Sequence, residues 1–143
     1  MKKPALAATL GCLVLTGLVL AQVARTKSPG GASAYIISPR NGGTVSSPFI
    51  VQFGLKGMGV APAGVTLANT GHHHLLIDVA KIPDMTMPLP ANDPQIRHFG
   101  GGQTEVELTL PAGPHTLQLV LGDYLHTPHD RPVVSEKITV TVK

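Results

Sequence analysis

The chain has no tryptophan, two tyrosines and three phenylalanines, and a single cysteine, Cys12. So few aromatic faces leave little on which a sugar ring or a peptide could stack, and this ranks a carbohydrate- or peptide-binding adhesive module last among the candidate classes. Cys12 lies in an apolar N-terminal stretch. Once that stretch is removed, neither a disulfide nor a thiolate carries stability or chemistry, and packing must hold the fold. Charge is equally sparse: 11 Lys+Arg stand against 8 Asp+Glu. Loss of Lys2 and Lys3 with the leader leaves nine basic residues against eight acids, which argues against a nucleic-acid partner. There is no Gly-x-Ser-x-Gly elbow, no His-Glu-x-x-His helix and no nucleophilic cysteine, so the common hydrolase signatures are missing. A non-enzymatic role is expected, with a metal-dependent hydrolase or oxidase as the alternative.

Export is the first positive signal. Met1-Lys2-Lys3 is a short basic start, Ala5 to Ala21 is uncharged and apolar, and Val19-Leu20-Ala21 ends in small-residue fashion before Gln22. Residues 1–21 read as a signal peptide and 22–33 as a flexible tail, which makes the domain periplasmic or secreted and leaves it without a membrane anchor. The rival, an uncleaved anchor, is weakened by Gly11, Thr16 and Gly17 and by a stretch short of the roughly 20 residues a spanning helix needs. Thr9-Leu10-Gly11-Cys12 is similar to a lipoprotein cleavage box but lacks the leucine three residues before the cysteine.

Residues 34–143 read as one all-β domain. Phe49, Val51, Phe53 and Leu55 alternate with Ile50, Gln52 and Gly54. Val106, Leu108 and Leu110 alternate with Glu105, Glu107 and Thr109, and Leu117, Leu119 and Leu121 follow a Pro111-Ala112-Gly113-Pro114 turn. No window of the mature chain carries a helical period. Strands are expected at 34–38, 49–55, 72–79, 103–110, 115–121 and 134–142. A seventh, the Pro-interrupted segment Ile82 to Leu89, is expected at a sheet edge, completing a single immunoglobulin-like antiparallel β-sandwich of about seven strands.

What the chain has in quantity is histidine, seven residues in all. Three are consecutive, in Gly71-His72-His73-His74-Leu75, where strand parity puts His72 and His74 on one face and His73 on the other with Leu75 and Ile77. His98 precedes Gly100-Gly101-Gly102, a run that suits a close backbone approach or a positive-φ turn better than a phosphate loop. His126 and His129 flank Thr127-Pro128, and His115 opens a strand. Seven strands would bring the connections 56–71, 90–102 and 122–133 to one pole, where His72, His74, His98, His126 and His129 converge and His115 does not. Were Ile82 to Leu89 a mere loop, the two groups of histidines would sit at opposite ends, a strand length of about 20 Å apart.

At this point the blocks YIISPRNGGTVSSPF, FGLKGMGVAPAG, TGHHHLLID, HFGGGQTE, LPAGPHTLQLVLGD and HTPHDRPVVSEKITVTV identify a resemblance. They resemble the bacterial forty-three-ninety-nine domain of unknown function across nearly all of the mature domain. The resemblance implies a small exported domain and carries no activity with it. Its histidine-bearing blocks match at His72, His73, His74, His98, His126 and His129, while Arg97 and Arg131 are more basic than its pattern.

Imidazole suits copper and zinc, and an ion needs three or four such ligands at about 2.0–2.1 Å. The sharp reading is therefore a transition-metal site, copper or zinc, built from His72, His74, His98, His126 and His129, with Asp78, Asp123 or Asp130 orienting a ring. It should lose metal as pH falls through the ordinary histidine range near 6.5. The plain alternative is a structural or interaction module whose histidines form a hydrogen-bonded plug ordering three long loops. Met58, Met85 and Met87 include a Met-x-Met pair able to bind Cu(I), but thioethers more often fill core gaps.

Overall fold

The computed structural model describes residues 24–143. The residues read as a leader and as the start of a tail, Cys12 included, lie outside the described residues. Nine strands follow one another: β1 (Ser33–Ser38), β2 (Thr44–Val45), β3 (Phe49–Lys56), β4 (Gly59–Val60), β5 (Thr70–Ile77), β6 (Ile96–His98), β7 (Glu105–Leu108), β8 (Gly113–Gly122) and β9 (Ile138–Val142). No helix occurs among the described residues, and none is long and apolar enough to cross a membrane. The strands form a three-stranded sheet, β1-β3-β7, and a six-stranded sheet ordered β2-β9-β8-β5-β4, with β6 also paired to β5. Pairing is antiparallel except for β2 with β9 and β4 with β5.

The alternation read in the sequence becomes the main core. Phe49, Val51 and Phe53 of β3 meet Leu75 and Ile77 of β5, Leu117, Leu119 and Leu121 of β8, and Ile138, Val140 and Val142 of β9 between the two sheets. Full burial of side chains of this kind contributes about 1.5–3 kcal/mol each, so this layer does the work that disulfides do in many small secreted domains.

β5 is buried from Gly71 to Ile77, on both faces. Its second face carries a smaller core of Leu76, Leu89, Ile96 and Val120, with Val79, Ile82, Met85 and Val134 packed beside it. The cover over this outer face is the segment expected to be an edge strand. Ile82 to Leu89 pairs with no strand. It turns at Met85 and Thr86, where Asp84 Oδ1 accepts hydrogen bonds from Thr86 N (2.8 Å) and Thr86 Oγ1 (2.7 Å). Pro83 and Pro88 supply no N–H, so a ladder here would be broken near both ends of the segment, and Pro90 follows just beyond it. The place beside β5 is taken instead by the three-residue β6, so the expected seven-strand count, and with it the path built on Ile82 to Leu89, is corrected.

The segment read as a flexible tail is held down over residues 25–28. Lys27 bridges to Asp130, and Ser28 N donates to Asp130 O (3.2 Å). Asp130 N donates to Thr26 O (2.8 Å), and Ser28 Oγ donates to Arg131 O (2.7 Å). Arg25 adds an ion pair to Asp130 at 3.4 Å. This stretch therefore braces the loop after β8, whose polar backbone sequence patterning does not reveal.

Candidate metal centre

Strand parity and register bring the histidines together. His72 and His74 lie on the outer face of β5, beside Leu76, while His73 faces the main core, where its ring packs 5.3 Å from that of Phe53. The antiparallel β5–β6 register sets His98 directly opposite His74, and the β5–β8 register sets Gly122 opposite His72. Beyond Gly122 the chain turns sharply and returns His126 over the same face.

Asp123 builds that turn. Its buried carboxylate accepts Leu125 N (2.9 Å) and Thr127 N (3.0 Å) through Oδ1, and Thr26 Oγ1 (2.8 Å) through Oδ2. His126 itself adopts a positive φ of 66°, a conformation that the Asp123 hydrogen bonds over-determine. Leu89 N donates to His126 O (3.0 Å), tying the covering segment to the same loop.

Four rings result in one cluster. Centroid separations are 4.8 Å for His72–His74, 5.0 Å for His72–His98 and for His72–His126, 5.1 Å for His74–His98, 4.7 Å for His98–His126 and 6.1 Å for His74–His126. One ring nitrogen from each of His72, His98 and His126 lies within 4.8 Å of the others. Nitrogens around a tetrahedral ion at 2.0–2.1 Å stand about 3.3 Å apart, so inward movements of roughly 1 Å close the three onto one ion.

The donors suit such an ion. Both nitrogens of His72 and Nδ1 of His74 are buried without a hydrogen-bond partner. Orphaned polar atoms of this kind cost free energy unless something fills their lone pairs. Burial, reinforced by the neighbouring His126 and His98, lowers the His72 pKa to about 4, with Asp123 partly opposing. Burial followed by His72, His98 and His126 lowers His74 to about 3. His98 is lowered as well, by burial and by His126. The buried rings are thus neutral at physiological pH, the form that binds a metal. The shift also moves the expected proton competition below the ordinary histidine value near 6.5.

A pocket of about 200 Å³ opens against the cluster, with His74, His98 and His126 on one wall and residues 88–91 on the other. His98 is exposed and His126 half-buried at its edge, His74 (2 %) shows it little surface, and His72 (0 %) is closed off behind them.

The remaining sequence candidates go elsewhere. His129 is buried, with its Nε2 bonded to Thr70 O at 3.2 Å and its Nδ1 without a partner, and its ring is not among those that pack together in the cluster. His115 is at the opposite end, its Nδ1 2.7 Å from Asp78 Oδ2 and its Nε2 2.9 Å from Pro111 O. The hydrogen bond that His115 donates to the Asp78 carboxylate raises its pKa. Asp78 therefore orients His115 alone, Asp130 pairs with Arg25, and Asp123 positions His126 through backbone rather than ring contacts. Met85 packs in the outer core and Met87 is exposed, which gives the Met-x-Met pair a structural place.

Two glycines are part of the site. A Cβ on Gly122 would stand 2.6 Å from His74 Cε1 and 3.3 Å from the His126 carbonyl carbon, and one on Gly100 would collide with the His98 ring. The close approach expected of the glycine run is met at Gly100, with a positive φ at Gly102. Gly122 escaped notice because its role depends on the β5–β8 register, which no local pattern reveals.

Residues 51–143 match the family DUF4399, described as a domain of unknown function. The chain belongs to this family. The matched span contains every histidine of the DUF4399 cluster, the covering segment and the Gly122 turn. No curated protein and no solved structure matched the chain.

Proposed function

We propose that this DUF4399 domain is an exported transition-metal binding module that holds copper or zinc through His72, His98 and His126, with His74 as a fourth donor. The observation that carries the reading is the convergence of four imidazoles from three chain segments, in which both nitrogens of His72 and Nδ1 of His74 are buried without a hydrogen-bond partner. His73 is unpartnered too, but it stands alone on the core face; the rings on the other face converge, as an ion requires. The Lys-flanked leader supports export to the periplasm or beyond, where copper and zinc must be handled by proteins. His129 belongs to the support around the site. The strand order supports an immunoglobulin-like reading of the fold: one sheet joins the first, third and seventh strands, and the other joins β5, β8 and β9 in the manner of a C-F-G sheet.

Calorimetric titration of the untagged mature protein with Cu(II) and Zn(II) tests the proposal. One equivalent should bind, copper more tightly than zinc on the intrinsic order of affinities for nitrogen ligands. The His74→Ala, His126→Ala double variant should lose that binding. Equal, weak heats for both proteins would leave the loop-ordering role as the surviving account.

A further inference from the structure

The pocket beside the histidines is larger than an ion requires. Liquid water takes about 30 Å³ per molecule, so 200 Å³ corresponds to roughly six waters, room for an ion's exchangeable ligand and a few carbon atoms more. Its walls differ in chemistry. One side presents the imidazoles of His74, His98 and His126; the other is the Pro88-Leu89-Pro90-Ala91 stretch, which offers apolar surface. Leu89 is anchored in the outer core and bonded through its N–H to His126 O, so this wall is fixed relative to the rings.

Charge supplies the second half of the argument. An ion held by neutral imidazoles keeps its full double positive charge in a largely desolvated place. None of the four rings is accompanied by a carboxylate ligand: Asp123 is already committed to Leu125, Thr127 and Thr26. A charge in low dielectric is costly unless compensated, and a fourth or fifth position open to a pocket is where an exogenous anion compensates it.

Resting on the metal reading above, we infer that the metal-loaded centre keeps a coordination position open to this pocket and takes there a short-chain monocarboxylate, its carboxylate on the ion and its alkyl group against Leu89 and Ala91. Such a ligand matches both walls at once. An anion without an apolar flank leaves the Leu89 wall in contact with water.

The test uses the Cu(II)-loaded mature protein. Azide is the spectroscopic probe, since its ligation to copper produces a charge-transfer band, and propionate is the competitor. Azide should give the band in wild type, and propionate should displace it more effectively than formate does. Ala91 is exposed, so Ala91→Phe fills the pocket without disturbing the core. This variant should bind copper with unchanged stoichiometry and bind propionate about tenfold more weakly or worse. Leu89→Ala should shift preference from propionate towards longer acids. Copper binding without any azide or propionate response overturns the inference and leaves the metal site standing, as does equal propionate binding by Ala91→Phe and wild type. Absence of copper binding overturns both.

Discussion

Three neighbouring histidines with one sequence environment have two different fates, and parity separates them. His73 is turned into the main core, where both ring nitrogens lack partners and burial lowers its pKa to about 4. It contributes nothing to the cluster on the other face, so His73→Leu should raise stability in chemical denaturation by ~1 kcal/mol while copper titration is unchanged. Loss of copper binding in that variant would assign His73 to the site. Protonation gives a second test at this scale. His72, His73 and His74 titrate near 6.5 when unfolded and at about 4, 4 and 3 when folded. The unfolded chain then binds more protons between those limits, so their contribution is complete above pH 6.5 and is lost as pH falls towards 4. The slope is at most about 1.4 kcal/mol per pH unit for each histidine. The metal-free protein should show this acid sensitivity in urea titrations, and a flat profile from pH 7 to 4 would contradict the burial on which the site depends. His115 has the opposite sign: its pKa is raised by Asp78, so its stabilisation is present below 6.5 and fades as pH climbs through the raised value. It therefore cannot account for an acid-side loss.

Among the elements, the β5–β8 pair does most to define the centre, because its register puts Gly122 opposite His72 and leaves space for the His74 ring. Gly122→Ala should keep the fold and weaken copper binding by about tenfold or more, since a misplaced ligand commonly costs that much. Unchanged affinity would mean that His74 is dispensable as a donor. The same pair explains what could be read in advance. Alternation in β3, β7 and β9 was legible because each has one core face, and in β8 as far as Leu119, beyond which Val120 is buried in the outer core. β5 was legible only by its apolar end and its histidine parity, being buried on both sides. The two-residue β2 and β4 and the three-residue β6 carry too few residues for any period to show. Ile82 to Leu89 has the apolar content of a strand, yet its prolines decide against pairing, and it serves instead as a cover. That cover still leaves His98 beside His74, so the convergence expected of the histidines is reached by a different route, the β5–β6 pairing.

For the whole molecule, the all-β class, the apolar core and the gathering of His72, His74, His98 and His126 were visible in the sequence, while the exclusion of His129 and the bracing of the last long loop by residues 25–28 were not. Those last features rest on contacts between distant segments, 59 positions apart for His129 with Thr70 and 97 for Thr26 with Asp123. The proposed export is tested on the whole chain: intact-mass measurement on protein from its native compartment should find a chain beginning near Gln22, and a retained Met1 in a membrane fraction would revive the anchor. The account as a whole stands on the ring nitrogens meeting at one ion. Electron paramagnetic resonance of the mature protein loaded with one equivalent of Cu(II) tests this most directly, using His98→Ala and His115→Ala as companions. The account predicts a single copper species with hyperfine coupling to at least three imidazole nitrogens, unchanged in His115→Ala and replaced in His98→Ala. A mixture of weakly bound species, identical in all three proteins, would contradict it.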